Sequence, residues 1–148
     1  MILYLDTSAV VKLYVEEAGS DVVRELTTGS ELHISQVTVV EFVAAVCRQG
    51  GSGGLTGPQV AAALRLFRLA AVDLYDLVNV TQDVIDVAAS LAERYVLRGY
   101  DAVQVASALS VQRALAPEPV TLLSADRRMC EIARDEGMDV IDPTDAAW

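Results

Sequence analysis

The sequence places four carboxylates where a predicted strand ends or a predicted helix begins: Asp6, Glu41, Asp101 and Asp126. Carboxylates that converge on one place repel each other, and a shared cation relieves that repulsion. Ligand sets made only of oxygen favour hard ions such as Mg²⁺ or Mn²⁺, which commonly serve phosphate chemistry. The pattern therefore predicts a divalent metal site that acts on phosphate.

Two of the four acids occur in the same local design, in which an apolar strand leads to a carboxylate and then to a helix. Asp6 follows the apolar run Ile2–Leu5, and Asp126 follows an apolar run that ends at Ser124. An acid at this position can simply cap the helix after it, and Thr7 and Ser8 are further candidate caps for the first helix. Capping and a functional role both stay open for these two acids.

Glu41 and Asp101 also have a structural explanation. Thr38 and Glu41 have the spacing of a capping box, in which the Glu side chain reaches back to the backbone of the cap residue. Asp101 opens a helix that carries no charge until Arg113, which predicts that this helix is buried and that its N-terminal carboxylate faces a shared cleft. We favour a functional role for both acids.

Strands and helices alternate along the chain, and the predicted strands are 2–5, 32–35, 74–80, 119–124 and 139–142. This alternation is typical of a parallel sheet with right-handed crossovers, which brings the carboxyl ends of the strands to one edge. We therefore predict an α/β fold, a three-layer α/β/α sandwich with a central, mostly parallel sheet of four to five strands. One domain is expected to span residues 1–148.

Composition limits the classes of protein. The 53% of hydrophobic residues fall in short periodic segments with no apolar run near the roughly 20 residues of a membrane span. No basic leader precedes the first strand, so we expect a cytoplasmic protein with no membrane association. A net charge of -10 argues against a broad basic surface for nucleic acid, although binding through metal ions remains open.

The two cysteines, the single histidine and a glycine-rich stretch have no predicted catalytic role. Cys47 and Cys130 lack the spacing of a zinc site and are expected to be reduced core residues. His33 is the single histidine and receives no role. The stretch Gly50–Gly57 has no phosphate-binding motif and is predicted to be a flexible connector before a helix that Pro58 begins.

Four short motifs together resemble the PIN-domain nucleases, and most closely the VapC-type toxins of bacterial toxin–antitoxin pairs. These motifs are Leu-Asp6-Thr-Ser, Ser35 to Glu41 followed by Phe42, Gly99-Tyr-Asp101-Ala-Val-Gln-Val-Ala, and Leu-Ser124-Ala-Asp126. The resemblance runs over nearly the whole chain and implies a Mg²⁺- or Mn²⁺-dependent endoribonuclease. Its metal-binding acids would be Asp6, Glu41, Asp101 and Asp126.

The resemblance also implies partners. It suggests a homodimer that a cognate antitoxin neutralises, and a folded RNA substrate such as tRNA or ribosomal RNA. Attack by water would leave 5′-phosphate and 3′-hydroxyl ends, with Thr7, Ser8 and Arg127 at the substrate phosphate. Lys12, Arg98 and Arg128 are further candidate cations for the RNA backbone.

Three other functions are compatible with part of the pattern. A phosphatase of the haloacid dehalogenase type needs a second Asp where Ser8 stands, and a receiver domain needs a late lysine, whereas Lys12 is the only lysine. Both are disfavoured. A PIN-like scaffold that binds a partner without cutting RNA stays open.

Overall fold

Five parallel strands form one sheet in the computed structural model, which describes residues 1–145; residues 146–148, the end of the predicted domain, lie outside the described part. The strands are β1 (Ile2–Leu5), β2 (Glu31–Ser35), β3 (Asp76–Val78), β4 (Val120–Leu123) and β5 (Asp139–Ile141). Their order across the sheet is β3-β2-β1-β4-β5, and every neighbouring pair is parallel. The predicted α/β class and parallel sheet are confirmed.

Helices cover both faces of the sheet. They are α1 (Thr7–Tyr14), α2 (Ser20–Thr27), α3 (Gln36–Gly51), α4 (Gly57–Asp73), α5 (Gln82–Tyr95), α6 (Gly99–Leu115) and α7 (Arg127–Asp135). One hydrophobic core lies between the sheet and α5 to α7, and the other lies between the sheet and α1 to α4. Within residues 1–145, no helix is long and apolar enough to cross a membrane.

Strand β1 is the centre of the sheet. Side chains alternate between the two faces of a strand, so Leu3 and Leu5 enter one core while Tyr4 enters the other. All three side chains are fully buried. This burial on both faces fixes the position of the next residue, Asp6, at the carboxyl edge of the sheet.

Helix α6 is buried along most of its length, as its lack of charge predicted. Its residues from Gln104 to Leu109 are all buried, and it packs against α5, β2 and β4. The first turn of this helix, which contains Asp101, therefore emerges from the interior beside the carboxyl edge.

Several predicted details were wrong. Helix α3 begins at Gln36, because the Ser35 side chain accepts a hydrogen bond from the Val37 N–H at 3.4 Å. Thr38 is therefore an internal residue of the helix and its side chain is buried. The predicted capping box with Glu41 does not form.

The bounds of β3 and of the end of α3 also differ from the prediction. Strand β3 is shorter than the predicted 74–80, and α3 continues to Gly51, which leaves a connector of only a few residues. That connector ends in a capping box between Thr56 and Gln59, at the start of α4. Cys130 is buried as predicted, but Cys47 is exposed because it lies on the outer side of α3.

Val96 ends α5 in the left-handed conformation, with φ 55°, and is 91% exposed. A β-branched residue is strained at positive φ, whereas glycine is not. We expect Val96→Gly to raise the free energy of unfolding by about 1 kcal/mol, measured by urea denaturation.

Val72 offers a matched control, because it is 79% exposed but lies in the ordinary helical conformation of α4. Val72→Gly should lower the free energy of unfolding by about 0.5 kcal/mol, through the poorer helix propensity of glycine. Destabilisation of the same size in both variants would show that Val96 carries no strain.

Candidate active site

Asp6 is a buried carboxylate at the end of β1, with 3% of its surface exposed. Its Oδ1 accepts hydrogen bonds from the Ala9 N–H at 3.0 Å and from Ser8 Oγ at 2.7 Å. Asp6 is thus the cap of α1, and the expectation that Thr7 or Ser8 caps this helix was wrong. Burial raises the pKa of Asp6 to about 6, although the hydrogen bonds from Ser8 and Ala9 oppose this change.

Glu41 lies in the second turn of α3 and is held by two donors. Its Oε1 accepts from Thr7 Oγ1 at 3.0 Å and from Gln104 Nε2 at 2.7 Å. The sequence-based prediction gives Gln104 no role. The available signal was a polar amide within a helix predicted to be buried, because a buried amide needs hydrogen-bond partners.

Asp101 lies in the first turn of α6, where Arg98 and not Asp101 occupies the cap position. Partial burial raises the pKa of Asp101, and the negative charges of Asp126 and Glu41 raise it further, while Arg98 lowers it. The negative charges of Glu41 and Asp126 thus act on Asp101.

Asp126 caps α7 by accepting a hydrogen bond from the Met129 N–H at 3.0 Å, and it is exposed. Its loop is tied to the first turn of α1, because the Ala125 N–H donates to Ser8 Oγ at 2.8 Å. Ser8 in turn donates to Asp6, so a single hydroxyl joins the two strand ends. All four acids lie at one edge of the sheet.

The four acids do not form a closed cage. Among residues 1–145, no three of them bring one oxygen each within 4.8 Å of one another. Mg²⁺ usually keeps several of its waters and needs few direct carboxylate ligands, so carboxylates at wider spacing can still share a hydrated ion.

A cleft of about 610 Å³ opens beside these acids, with Thr7, Glu41 and Asp101 on its wall. The rest of its lining is mostly apolar with two arginines, and includes Val40, Ala44, Ala45, Val103, Tyr100, Arg48 and Arg98. The cleft therefore brings cationic groups, an apolar wall and carboxylates together in one place.

The candidate cations differ in their availability. Arg98 lines the cleft, whereas Lys12 is buried and forms an ion pair with Glu17 at 3.0 Å. Lys12 is therefore not available to RNA, which corrects the sequence-based expectation. Arg128 donates to the Tyr95 carbonyl at 3.1 Å, and Arg127 is exposed in a small depression beside Arg134.

The hydroxyl groups of Thr7 and Ser8 both donate to carboxylates, Thr7 to Glu41 and Ser8 to Asp6. Each hydroxyl oxygen also accepts a hydrogen bond, from Gln104 Nε2 at 3.1 Å and from the Ala125 N–H respectively. The two hydroxyls thus position the acids, and their contact with a substrate phosphate stays a prediction.

A separate group of possible metal ligands comprises Glu31, His33 and Asp76, which offer one atom each within 4.8 Å of one another. These residues lie toward the opposite end of β2 and β3 from Ser35 and Val78. His33 Nε2 is 2.8 Å from Glu31 Oε1, so these two side chains already satisfy each other. We assign this group no function.

The chain is similar to known proteins in both sequence and structure. A family model described as PIN domain matches residues 3–135. Ribonuclease VapC46 of Mycobacterium tuberculosis (strain ATCC 25618 / H37Rv) is 34% identical over 143 residues, which cover 96% of this chain and 98% of the relative.

Two solved structures share the fold. FitAcB from Neisseria gonorrhoeae has a TM-score of 0.68 at 15% identity, covering 96% of this chain and 98% of that chain. A toxin-antitoxin complex from Klebsiella pneumoniae has a TM-score of 0.62 at 18% identity, covering 97% and 98% respectively.

Proposed function

Because the chain belongs to the PIN domain family, whose model matches residues 3–135, we propose that it is a VapC-type endoribonuclease that requires Mg²⁺ or Mn²⁺. The family resemblance inferred from the sequence is confirmed. The ribonuclease activity is supported by Ribonuclease VapC46, which aligns with 96% of this chain at 34% identity.

The observation that carries the proposal is the placement of Asp6, Glu41, Asp101 and Asp126 at one edge of the sheet, beside a cleft that Glu41 and Asp101 line. The charges of Glu41 and Asp126 raise the pKa of Asp101, and burial raises the pKa of Asp6. A divalent cation would relieve both effects, and a donor set made only of carboxylate oxygens fits Mg²⁺ or Mn²⁺. We assign the ion to Asp6, Asp101 and Asp126, with Glu41 beside it.

When bound, a divalent ion supplies a Lewis acid that activates water and offsets the charge of the phosphate. Asp6 is held in one orientation by Ser8 and Ala9, so it presents its second oxygen at a fixed place. Within residues 1–145, Thr7 and Gln104 both donate to Oε1 of Glu41, so Oε2 is the oxygen that would orient a water or accept its proton. Arg98 in the cleft is placed to contact the RNA backbone.

Water is the nucleophile in this scheme, so no 2′-hydroxyl takes part. The products should carry 5′-phosphate and 3′-hydroxyl ends. We place Thr7, Ser8 and Arg127 near the substrate phosphate and propose a folded RNA, tRNA or ribosomal RNA, as the substrate. The net charge of -10 supports a specific substrate over bulk RNA, because the protein lacks the positive charge that drives non-specific binding.

The same proposal includes a cognate antitoxin, a homodimer and a cytoplasmic location. A similar fold occurs in a toxin-antitoxin complex from Klebsiella pneumoniae. The cleft beside the acids has exposed apolar side chains, with Val40 at 62% and Tyr100 at 57% exposure. An apolar segment that carries a cationic side chain would complement this surface and block the acids.

The test is cleavage of a total RNA pool by the purified full chain, with Mg²⁺, Mn²⁺ or EDTA, followed by mapping of the new ends. We expect discrete cuts with 5′-phosphate ends that require the metal. Asp101→Asn, purified in parallel, should give no cuts and controls for contaminating nucleases. A folded, partner-free wild-type chain that cuts nothing with either metal would favour the non-cutting scaffold instead.

A further inference from the structure

Gln104 is a buried amide among the residues of the proposed metal site. It lies one turn after Asp101 on α6 and is 1% exposed. Burial of an amide is costly unless hydrogen bonds compensate. Gln104 Nε2 has three acceptors, Glu41 Oε1 at 2.7 Å, Thr38 Oγ1 at 2.9 Å and Thr7 Oγ1 at 3.1 Å.

Tyr4 fixes the orientation of this amide. The Tyr4 hydroxyl donates to Gln104 Oε1 at 2.7 Å, and the whole Tyr4 side chain is buried. Because an amide oxygen can only accept, the Tyr4 hydroxyl is the donor of this hydrogen bond. A flipped amide would direct its NH₂ group at the Tyr4 hydroxyl and its oxygen at the Glu41 carboxylate, which is unfavourable at both ends.

The result is a directed chain of hydrogen bonds from Tyr4 through Gln104 to Glu41. The Thr7 hydroxyl belongs to the same chain, because it accepts from Gln104 and therefore directs its proton at Glu41. Both donors reach Oε1 of Glu41, which leaves Oε2 for a further partner. Partners behind a ligating carboxylate commonly set its orientation and the affinity for the metal.

We propose that Gln104, held by Tyr4, is a positioning residue of the metal site that fixes the Glu41 carboxylate so that Oε2 faces the ion. This inference rests on the proposed function and adds to it a residue that touches neither metal nor RNA. A purely structural role would differ, because Gln104 would then only join α6 to α3 and β1. Loss of that role would lower stability without changing the affinity for metal.

The test replaces Gln104 with methionine, which keeps the approximate shape and removes the hydrogen bonds. Binding of Mn²⁺ to the metal-free full chain is measured by calorimetry, and the Mn²⁺ concentration for half-maximal RNA cleavage is measured separately. We expect the Mn²⁺ dissociation constant and the Mn²⁺ concentration for half-maximal cleavage each to rise about tenfold or more in Gln104→Met. Cleavage should recover in part at saturating Mn²⁺.

Gln112 provides the control on the same helix, two turns later. It is half-buried and its amide donates to the Gly137 carbonyl at 3.4 Å, away from the acids. Gln112→Met should bind Mn²⁺ like the wild type. Tyr4→Phe provides a second test that keeps the core shape, and it should weaken Mn²⁺ binding several-fold because Gln104 loses its anchor.

The outcomes separate the two proposals. Wild-type binding of Mn²⁺ in folded Gln104→Met, or in Tyr4→Phe, would overturn the positioning role while the nuclease stands. A wild-type chain that neither binds Mn²⁺ nor cuts RNA would overturn the proposed function, and the positioning role with it. If Gln104→Met does not fold, the Mn²⁺ affinity of Tyr4→Phe decides whether the positioning role stands.

Discussion

Replacement of Asp6 with asparagine is expected to lower metal-dependent RNA cleavage by at least about a thousandfold. A carboxylate that holds a catalytic ion supports several kcal/mol of charge stabilisation in the transition state, and about 4 kcal/mol corresponds to that factor in rate. The measurement is the rate of RNA cleavage at saturating Mg²⁺ and Mn²⁺, compared with that of the wild type.

The asparagine variant should keep its fold. The asparagine Oδ1 can accept the same hydrogen bonds from the Ala9 N–H and Ser8 Oγ, so α1 keeps its cap. Loss of activity in a folded variant therefore reports on the charge of Asp6.

Asp21→Asn is the matched control, because Asp21 is an acid on the exposed side of α2, paired with Arg24 at 2.8 Å. It removes the same formal charge from an exposed residue outside the proposed metal site and should cut RNA at the wild-type rate. More than a tenth of wild-type activity in Asp6→Asn would remove Asp6 from the proposed metal site.

The sheet and its edge could be predicted because their signals are local and repeated. The run Ile2–Leu5 is apolar on both faces, as a central parallel strand must be, and it ends on Asp6. Helix α6 carries no charge over two-thirds of its length, which predicted its burial. Burial of these two elements is sufficient to bring Asp6 and Asp101 to one edge.

The start of α3 was predicted wrongly because two residues compete for the cap position. Ser35 and Thr38 are both good caps, and the end of β2 decides in favour of Ser35. Glu41 consequently lies in the second turn of α3, where its side chain meets Thr7 and Gln104 across the site. A cap is chosen by the position at which the strand stops, and that position depends on pairing with residues distant in sequence.

Gln104 could not be assigned from the sequence for a related reason. Its partners Tyr4, Thr38 and Glu41 are up to 100 residues away along the chain. A glutamine in the apolar part of a helix predicts that partners exist, because buried amides are paired, but it does not identify them. Only the register of α6 against β1 and α3 does so.

The second large effect concerns stability and pH. The pKa of Asp6 is about 6 in the folded chain, against an ordinary value of 3.8. Between these values the folded state binds more protons than the unfolded state, so a rise in pH through this window lowers the free energy of unfolding. The metal-free wild type should lose about 2 kcal/mol from this group between pH 4 and pH 7.

Asp6→Asn removes this ionisation, so its stability relative to the wild type should depend on pH. The two proteins should be similar near pH 4, and the variant should be more stable by about 2 kcal/mol above pH 7. Urea denaturation with EDTA at several pH values measures the difference, with Asp21→Asn as the exposed control that shows no such trend.

A difference between Asp6→Asn and the wild type that is constant from pH 4 to pH 7.5 would contradict the raised pKa of Asp6. The expected result has a functional meaning, because the folded chain would be destabilised at neutral pH by a buried charge that the same chain needs for metal binding. Added Mg²⁺ or Mn²⁺ should then stabilise the wild type at pH 7.5 by binding the folded state, and should stabilise Asp6→Asn much less.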